Sequence, residues 1–306
     1  IEDKKLNLSD KVFGKGGILE NHWYFSNFSI LDEEVYDITV QHLLEHTAGW
    51  DRTEDCLPNP TTPYSGFARG CNPVTIPLHV TYDLGEENPV KKEHLIAFLL
   101  KKPLNNTPGT IFSYSGVGYL VLTEIIEEIS GLTYESWMKE NIFKPLGIYD
   151  IHVGKNKLID KRIREVEYTG NGGSTLDLYG TGNVVNWSYG GVSVEALDGS
   201  GGWIASAKDL TRLLVAVDGF NTSPDILKQE TINMMTLPSS SNNGYAKGWN
   251  VNSFNNWYHN GGLDGTSTLI IRTWNGYNWS ILLNKRIVGN NRNEFFIDMD
   301  NIGWFS

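Results

Sequence analysis

One short stretch of this sequence has the residue types and spacing of a zinc site. His42-Leu43-Leu44-Glu45-His46 fits the H-x-x-E-H pattern of one class of zinc peptidases. On a helix, both histidines face one side with Glu45 beside them, as a hydrolytic zinc site requires. The predicted helix stops at Gly49, and the alternative is that the two histidines form structural hydrogen bonds at its end. We favour that alternative, so the sequence predicts no metal and no cofactor.

The overall composition is that of an ordinary folded globular protein. The chain has 306 residues, of which 40% are hydrophobic and 20% charged, enough for one large core or two lobes. The formal net charge of −11 argues against a nucleic acid or an anionic membrane as partner, because both attract clustered Lys and Arg. No uninterrupted apolar run approaches the roughly eighteen residues of a membrane helix. We therefore expect no nucleic-acid partner and no membrane span.

The only cysteines, Cys56 and Cys71, lie in one segment rich in proline and glycine. A disulfide between them would close a loop of about 15 residues and contribute roughly 3 kcal/mol to stability. Two free thiols are the alternative. A disulfide would indicate an oxidising compartment, so we expect a secreted or extracellular protein, with a mitochondrial location as the alternative.

Several asparagines begin the Asn-x-Ser/Thr pattern of N-glycosylation, which would also fit secretion. These are Asn7, Asn27, Asn105, Asn186, Asn221 and Asn278.

The apolar periodicity predicts helices in the middle of the chain and strands near its end. Helices are expected over 39–48, capped by Thr39 and ended by Gly49, and over 92–100, 118–129, 134–143, 207–217 and 226–235. Strands are expected over 183–185, 248–251, 268–272 and 278–283, the last two joined by a turn at Asn275-Gly276.

The remaining segments have weaker patterns. Residues 6–37 indicate turns and short extended pieces, residues 50–90 a long loop or lid, and residues 293–305 a helix on the sheet. The sequence therefore predicts an α+β protein with a helical lobe at about 38–245 and a sheet lobe at about 246–306.

Five stretches, in order along nearly the whole chain, resemble the serine β-lactamase-like and penicillin-binding-protein-like hydrolases. This family includes class C β-lactamases, esterases and D-amino-acid peptidases. The stretches are 38–49, 108–119, 143–148, 200–210 and 257–262. The resemblance implies a single β-lactamase/transpeptidase-like domain, with an antiparallel sheet flanked by helices plus a helical lobe.

The resemblance also implies a small-molecule or peptide substrate and acyl transfer by a serine nucleophile, helped by a lysine three residues later on the same helical face. Tyr114 would act as the base and then the acid, and His259 would bind the polar end of the substrate. Ser115, Gly116, Asn260 and Gly261 would line the substrate site, and the Gly262 N–H would donate to the oxyanion. The alternatives are that Tyr114 is an ordinary aromatic side chain packed at a turn, and that His259 is a strand histidine whose ring forms a structural hydrogen bond.

The sequence departs from the family pattern in two places. Gly116 stands where the family has an asparagine that hydrogen-bonds the substrate and the catalytic lysine, which weakens the case for β-lactam hydrolysis. The Ser-x-x-Lys segment is not recognisable: the one literal match, Ser136-Trp137-Met138-Lys139, is in the wrong place and indicates an exposed helix face. By motif order, the nucleophile belongs before Ile1.

These observations predict a serine hydrolase whose serine and lysine come from a segment outside this chain. An N-terminal fragment of the same precursor, cleaved but retained as a companion chain, would fill the apolar groove and complete the sheet. The alternative is a catalytically inactive relative with a binding or structural role, which both departures favour.

Overall fold

A computed structural model of the protein describes residues 1–57, 70–170, 173–288, 294–298 and 301, with Asn27 described by its backbone only. The helices are α1 (Val40–Leu44), α2 (Pro77–Leu84), α3 (Lys92–Leu100), α4 (Gly116–Ser130), α5 (Tyr134–Met138), α6 (Ala207–Val215) and α7 (Gln229–Thr236). The strands are β1 (His152–Val153), β2 (Ser174–Leu176), β3 (Val184–Asn186), β4 (Trp203–Ile204), β5 (Asn250–Val251), β6 (Trp257–Gly261), β7 (Ser267–Arg272) and β8 (Asn278–Leu283).

The main sheet is antiparallel and has the order β5-β6-β7-β8. Its register places His259 opposite Ile270 and Gly261 opposite Thr268. Two small antiparallel pairs, β1 with β4 and β2 with β3, lie outside this sheet. Helix α6 packs on the sheet, where the Thr211 hydroxyl lies 2.7 Å from that of Ser280 on β8.

The largest apolar core lies among α1, α3 and α4. Nearly every residue of α3 is buried, and α4 buries one face that includes Leu120, Val121 and Ile125. Leu43 of α1 is fully buried against this core. A smaller cluster of Ile232, Ala246, Val251 and Trp257 joins α7 to the sheet.

A buried ionic network ties α3 to α4 and to the turn that precedes β4. The Lys92 ammonium lies 3.4 Å from Glu124, 3.2 Å from Glu127 and 3.0 Å from Asp198. His22 lies 3.0 Å from the other Glu124 oxygen. Because three carboxylates share the single Lys92 ammonium, removal of Lys92 would leave buried negative charge without its counter-charge.

The predicted α+β class and β-lactamase-like architecture are confirmed. The predicted helix over 92–100 and strand over 278–283 have the observed bounds, and Thr39 is an N-cap as predicted. The division into two lobes stays a prediction. No helix in the described ranges has the length and apolar character needed to cross a membrane.

Two predictions about the first half of the chain were wrong in their bounds. Helix α1 ends at Leu44 instead of reaching Gly49, because the chain turns sharply at His46, which has a φ of 54°. The 50–90 segment is not entirely loop, since α2 lies within it and begins at a proline, which favours the first turn of a helix. Residues 58–69 of that segment lie outside the described residues, as does most of the tail predicted to be helical.

Candidate active site

Tyr114 lies in a segment that leads directly into α4. Ser115, the residue before the helix, is extended with a φ of −139°, and Gly116 is the first helical residue. The Tyr114 side chain is partly buried. Burial raises the pKa of its hydroxyl, while the charge of Arg52 acts in the opposite direction. The phenol is therefore protonated at neutral pH.

His46 holds the backbone on both sides of Tyr114. Its carbonyl oxygen accepts a hydrogen bond from the Ser113 N–H at 2.9 Å, and its Nδ1 accepts one from the Ser115 N–H at 3.3 Å. The His46 and Tyr114 rings lie 4.3 Å apart between centroids. Tyr114 is thus positioned by a residue that precedes it by almost seventy positions.

The His46 ring is neutral and has a defined tautomer. Because Nδ1 accepts from Ser115, the ring proton lies on Nε2, which is 3.0 Å from the Tyr245 hydroxyl. His46 is 5% exposed, and burial lowers its pKa to about 3. Burial also raises the pKa of Tyr245 far above its usual value. This pair therefore acts as a structural support for Tyr114 and does not carry charge near pH 7.

The structure brings His259, on β6, to the same place as Tyr114. Their ring centroids lie 6.1 Å apart, and the His259 ring lies 6.4 Å from that of Tyr245. Nδ1 of His259 lies 2.9 Å from the Asn260 carbonyl oxygen and donates to it, which leaves Nε2 as an acceptor. Burial lowers the pKa of His259, so this acceptor is unprotonated near pH 7.

The two glycines after Asn260 are closely covered by neighbouring side chains. A β-carbon at Gly261 would collide with the Thr268 hydroxyl, and one at Gly262 would collide with the Arg286 guanidinium. Gly262 follows the last residue of β6. A side chain at either glycine, at the strand end where the oxyanion donor is predicted, would therefore require Thr268 or Arg286 to move.

Ser200, which the sequence did not single out as a site residue, contacts Gly116. A β-carbon at Gly116 would lie 3.2 Å from the Ser200 β-carbon and 3.4 Å from its hydroxyl oxygen. Ser200 thus occupies part of the space into which a side chain at 116 would extend. The predicted substrate residue Ser115 is 4% exposed, so its side chain lies beneath the surface of the site.

Arg52 and Lys247 are also site residues that sequence reasoning missed. The Arg52 guanidinium lies over the Tyr114 ring, 4.8 Å from its centroid. The Lys247 ammonium lies 2.7 Å from a Glu45 carboxylate oxygen, and both side chains are buried. No local pattern marks Arg52 or Lys247, because their partners are distant in sequence.

The residues of the H-x-x-E-H pattern each have a separate structural role. His42 Nδ1 accepts from the Thr39 N–H at 3.3 Å as part of the α1 cap. Glu45 pairs with Lys247, and His46 bonds to Ser115 and Tyr245. Among the residues that the structure describes, no group of three or more His, Cys, Asp or Glu could hold a metal ion.

The literal Ser-x-x-Lys match lies on a helix surface away from these residues. Ser136 is exposed and its hydroxyl lies 2.8 Å from that of Thr133. Lys139 pairs with Glu135 at 2.6 Å. This is the exposed helix face that the sequence predicts.

The predicted disulfide between Cys56 and Cys71 is present, with their α-carbons 5.3 Å apart. Of the glycosylation candidates, Asn278 has its amide nitrogen 2.6 Å from the Asp218 carboxylate, which competes with attachment of a glycan. The exposed candidates are Asn7, Asn105, Asn186 and Asn221. Nothing is described of the Asn27 side chain, and glycosylation stays a prediction.

The protein is similar to several known proteins along most of its length. A family model described as Beta-lactamase matches residues 1–295. The chain is 26% identical over 223 residues to an N-acetylmuramyl-L-alanine amidase of Bacillus subtilis, covering 64% of this chain and 49% of that protein. It is 24% identical over 246 residues to penicillin-binding protein 4* of the same organism, covering 77% of this chain and 48% of that protein. The chain thus spans about half the length of these relatives.

A solved structure with a similar fold is the D-stereospecific amidohydrolase from a Streptomyces species. The TM-score is 0.65 at 20% sequence identity, and the match covers 96% of this chain and 79% of that one. At this identity the likeness establishes the fold alone.

Proposed function

Because the chain belongs to the β-lactamase family, we propose that it is a serine hydrolase that cleaves an ester or amide bond through an acyl-enzyme. The observation that carries this proposal is that the Tyr114 and His259 side chains lie close together. These residues lie on different elements, yet their rings are 6.1 Å apart, and His46 fixes the Tyr114 backbone from both sides. The curated relatives with similar sequences include an amidase and a penicillin-binding protein.

The chemistry of the site follows from these positions. The serine oxygen adds to the substrate carbonyl carbon while its proton passes to the Tyr114 oxygen and the phenol proton passes on to the lysine amine, so that the two groups together act as the base. The same proton then passes to the leaving group as the bond to it breaks, which yields the acyl-enzyme. Water attacks the acyl carbon in a second addition and releases the acid. The Gly262 N–H stabilises the oxyanion in both additions, and the neutral His259 accepts a hydrogen bond from the substrate.

We propose that the serine and lysine come from a segment outside residues 1–306, either continuous with this chain or retained as a companion fragment of the same precursor. Two observations support this proposal. The Ser-x-x-Lys match within the sequence is exposed and its lysine is paired with Glu135. The matched family motifs run in order, and the nucleophile motif would precede them.

Gly116 favours esters over amides as substrates. An asparagine side chain at this position would offer a donor and an acceptor to an amide substrate, whereas glycine offers neither. Gly116 also favours a second candidate function, in which the protein is a non-catalytic member of the family that binds a ligand at the same place.

We further propose an oxidising compartment, which the Cys56–Cys71 disulfide supports.

The test is to label the protein, purified from its natural source, with a fluorophosphonate probe and to map the labelled peptide. We expect label on a serine followed three residues later by lysine, in a peptide outside residues 1–306. Tyr114→Phe in a recombinant form should slow labelling by about 10²-fold or more, because it removes the proton acceptor. Label on a serine within residues 1–306 would overturn the proposal that the nucleophile lies outside this chain. A folded protein that takes no label anywhere would favour the non-catalytic function.

A further inference from the structure

Two turns at one end of the main sheet carry exposed aromatic side chains. The turn 252–256 joins β5 to β6, and the turn 273–277 joins β7 to β8. Phe254 is 69%, Trp274 is 58% and Tyr277 is 63% exposed. Seven aromatic side chains are exposed in the described part of the chain, and three of them lie in these ten residues. This concentration indicates a binding surface, because soluble proteins seldom gather exposed apolar side chains without a partner for them.

The two turns lie side by side and are fixed by hydrogen bonds. The Trp274 N–H donates to Asn256 Oδ1 at 2.8 Å, which joins one turn to the other. The Asn256 N–H donates to Asn252 Oδ1 at 3.1 Å, and the Thr273 N–H donates to the Tyr277 carbonyl oxygen at 2.9 Å. We refer to residues 252–256 and 273–277 together as the turn surface. Because its backbone is already ordered, a ligand that binds there pays little for ordering it.

The exposed asparagines of the turn surface offer hydrogen-bond donors beside the aromatic rings. These asparagines are Asn252, Asn255 and Asn275. In that order, their side-chain oxygens accept from the Phe254 N–H at 3.1 Å, the Trp257 indole N–H at 3.0 Å and the Thr273 hydroxyl at 2.7 Å. Their amide NH₂ groups have no hydrogen-bond partner among the described residues. An external ligand therefore meets donors and aromatic rings together.

The composition of the turn surface narrows the class of ligand. Residues 252–256 are Asn-Ser-Phe-Asn-Asn and residues 273–277 are Thr-Trp-Asn-Gly-Tyr, without one charged or aliphatic residue, in a chain that is 20% charged. A charged ligand would find no counter-charge there, and a membrane-binding surface combines its aromatic residues with leucines and lysines. Antibody binding loops use the mixture seen here, in which aromatic rings supply rigid contact area and Asn, Ser and Gly supply hydrogen bonds.

A neutral sugar matches this combination of rings and donors. The C–H groups of a pyranose carry partial positive charge and stack on the negative face of an aromatic ring, while its hydroxyl and acetamido oxygens accept hydrogen bonds. We propose that the turn surface binds a neutral glycan of β-1,4-linked pyranoses. In such a glycan the substituents are equatorial, so both faces of each sugar ring present C–H groups.

The turn surface lies at the other end of β6 from the predicted oxyanion donor. The turn 252–256 precedes the first residue of β6 and Gly262 follows its last, so about 17 Å of strand separates them. A glycan bound there leaves the candidate active site open and holds the protein on a glycan-rich surface. The proposal is therefore independent of the serine hydrolase function.

Titration calorimetry on the whole protein tests the proposal with two neutral β-1,4-linked hexasaccharides. Chitohexaose carries acetamido groups, and cellohexaose carries hydroxyl groups in their place. At least one of them should bind with a Kd of about 1 mM or tighter. The Kd should be the same at about 50 and about 500 mM NaCl, because salt screens only interactions between charges.

Single substitutions assign the binding to the turn surface. Trp274→Ala should weaken binding at least about tenfold, as removal of an aromatic anchor does. Asn275→Asp keeps the oxygen that accepts from the Thr273 hydroxyl and removes only the NH₂ donor, so it should weaken binding by roughly three- to tenfold. The control is Tyr149→Ala, which removes a 77% exposed ring before β1 and should leave the Kd unchanged.

The outcomes separate the glycan from other occupants of the turn surface. Failure of both hexasaccharides to bind, or equal binding by the wild type and Trp274→Ala, would overturn the proposal. Without glycan binding, cosedimentation with phosphatidylcholine vesicles that Trp274→Ala abolishes would assign the surface to a lipid interface instead. Without glycan binding, a dimer in analytical ultracentrifugation that Trp274→Ala abolishes would assign it to a second copy of the chain. Glycan binding by a protein that takes no fluorophosphonate label would support the glycan site and count against the hydrolase function alone.

Discussion

His46 Nδ1 accepts a hydrogen bond from the Ser115 N–H at 3.3 Å, and this bond fixes the backbone immediately after Tyr114. The His46 carbonyl oxygen fixes the backbone immediately before it, through Ser113. A buried histidine with a φ of 54° is an uncommon conformation that the surrounding structure must impose. His46 is therefore a positioning residue for Tyr114.

Replacement of His46 by alanine should impair both folding and labelling by the fluorophosphonate probe. The change leaves the Ser115 N–H and the Tyr245 hydroxyl without their partner, so we expect a loss of about 3 kcal/mol in the free energy of unfolding, measured in urea. Displacement of Tyr114 should slow labelling by about 10²-fold under conditions where the variant is folded.

The matched control for this prediction is His46→Asn. Asparagine tolerates a positive φ, and its side-chain oxygen can accept from the Ser115 N–H in place of Nδ1. It should recover most of the labelling rate. If His46→Ala and His46→Asn label at the same rate, His46 does not position Tyr114.

The stability of the protein should fall as the pH decreases below 6.5, in part because of His46. Burial lowers the pKa of His46 to about 3, whereas its pKa in the unfolded chain is about 6.5. Between these values the unfolded chain binds one more proton than the folded protein, so stability decreases with decreasing pH by about 1.4 kcal/mol per unit. Above 6.5 both states are neutral at this residue and the effect vanishes.

The measurement is urea unfolding at pH 7 and pH 5 for the wild type and His46→Asn. The wild type should lose about 2 kcal/mol more than the variant over this interval. Burial also lowers the pKa of His42, His94, His152 and His259, and their contributions cancel in the comparison. Equal losses in the two proteins would mean that His46 is protonated in the folded state.

The elements that the sequence predicts well are those with local signals. Thr39 caps α1 through the His42 N–H, and Gly131 ends α4 with a φ of 69°, and both residue types are favoured at those positions by the backbone alone. The strand-like pattern from Tyr245 onward similarly predicts β8, all six residues of which are partly buried.

The site was less predictable where distant residues decide the conformation. The end of α1 depends on Glu45 and His46, whose partners Lys247 and Tyr245 lie about two hundred residues later. Arg52 and Ser200 enter the site only through the folding of the chain around Tyr114 and Gly116. Local propensity contains no information about such contacts, and the motif order supplied the positions of Tyr114 and His259 instead.

The Glu45–Lys247 pair should be far more sensitive to the loss of one partner than to the loss of both. Glu45 is 5% and Lys247 is 9% exposed, so Glu45→Gln leaves a buried ammonium without its counter-charge. We expect this change to cost about 3–5 kcal/mol in urea unfolding, and Glu45→Met with Lys247→Met to recover most of it. Glu140→Gln, in an exposed pair with Lys144, is the control and should cost less than about 0.5 kcal/mol. A double variant no more stable than Glu45→Gln would contradict this account.

Gly116 and Ser200 should show energetic coupling, because each limits the size of the other. An asparagine at 116 would bring its β-carbon within 3.2 Å of the Ser200 β-carbon, closer than ordinary van der Waals contact. Gly116→Asn alone should therefore destabilise the protein by about 1–3 kcal/mol, despite the better helix propensity of asparagine. In a Ser200→Gly background the clash is removed, and the same change should be nearly neutral. Urea unfolding of the four proteins gives the coupling energy, expected at about 1–2 kcal/mol. Additive effects would show that the backbone of α4 shifts to make room. In that case, contact with Ser200 is not what restricts position 116 to a small residue.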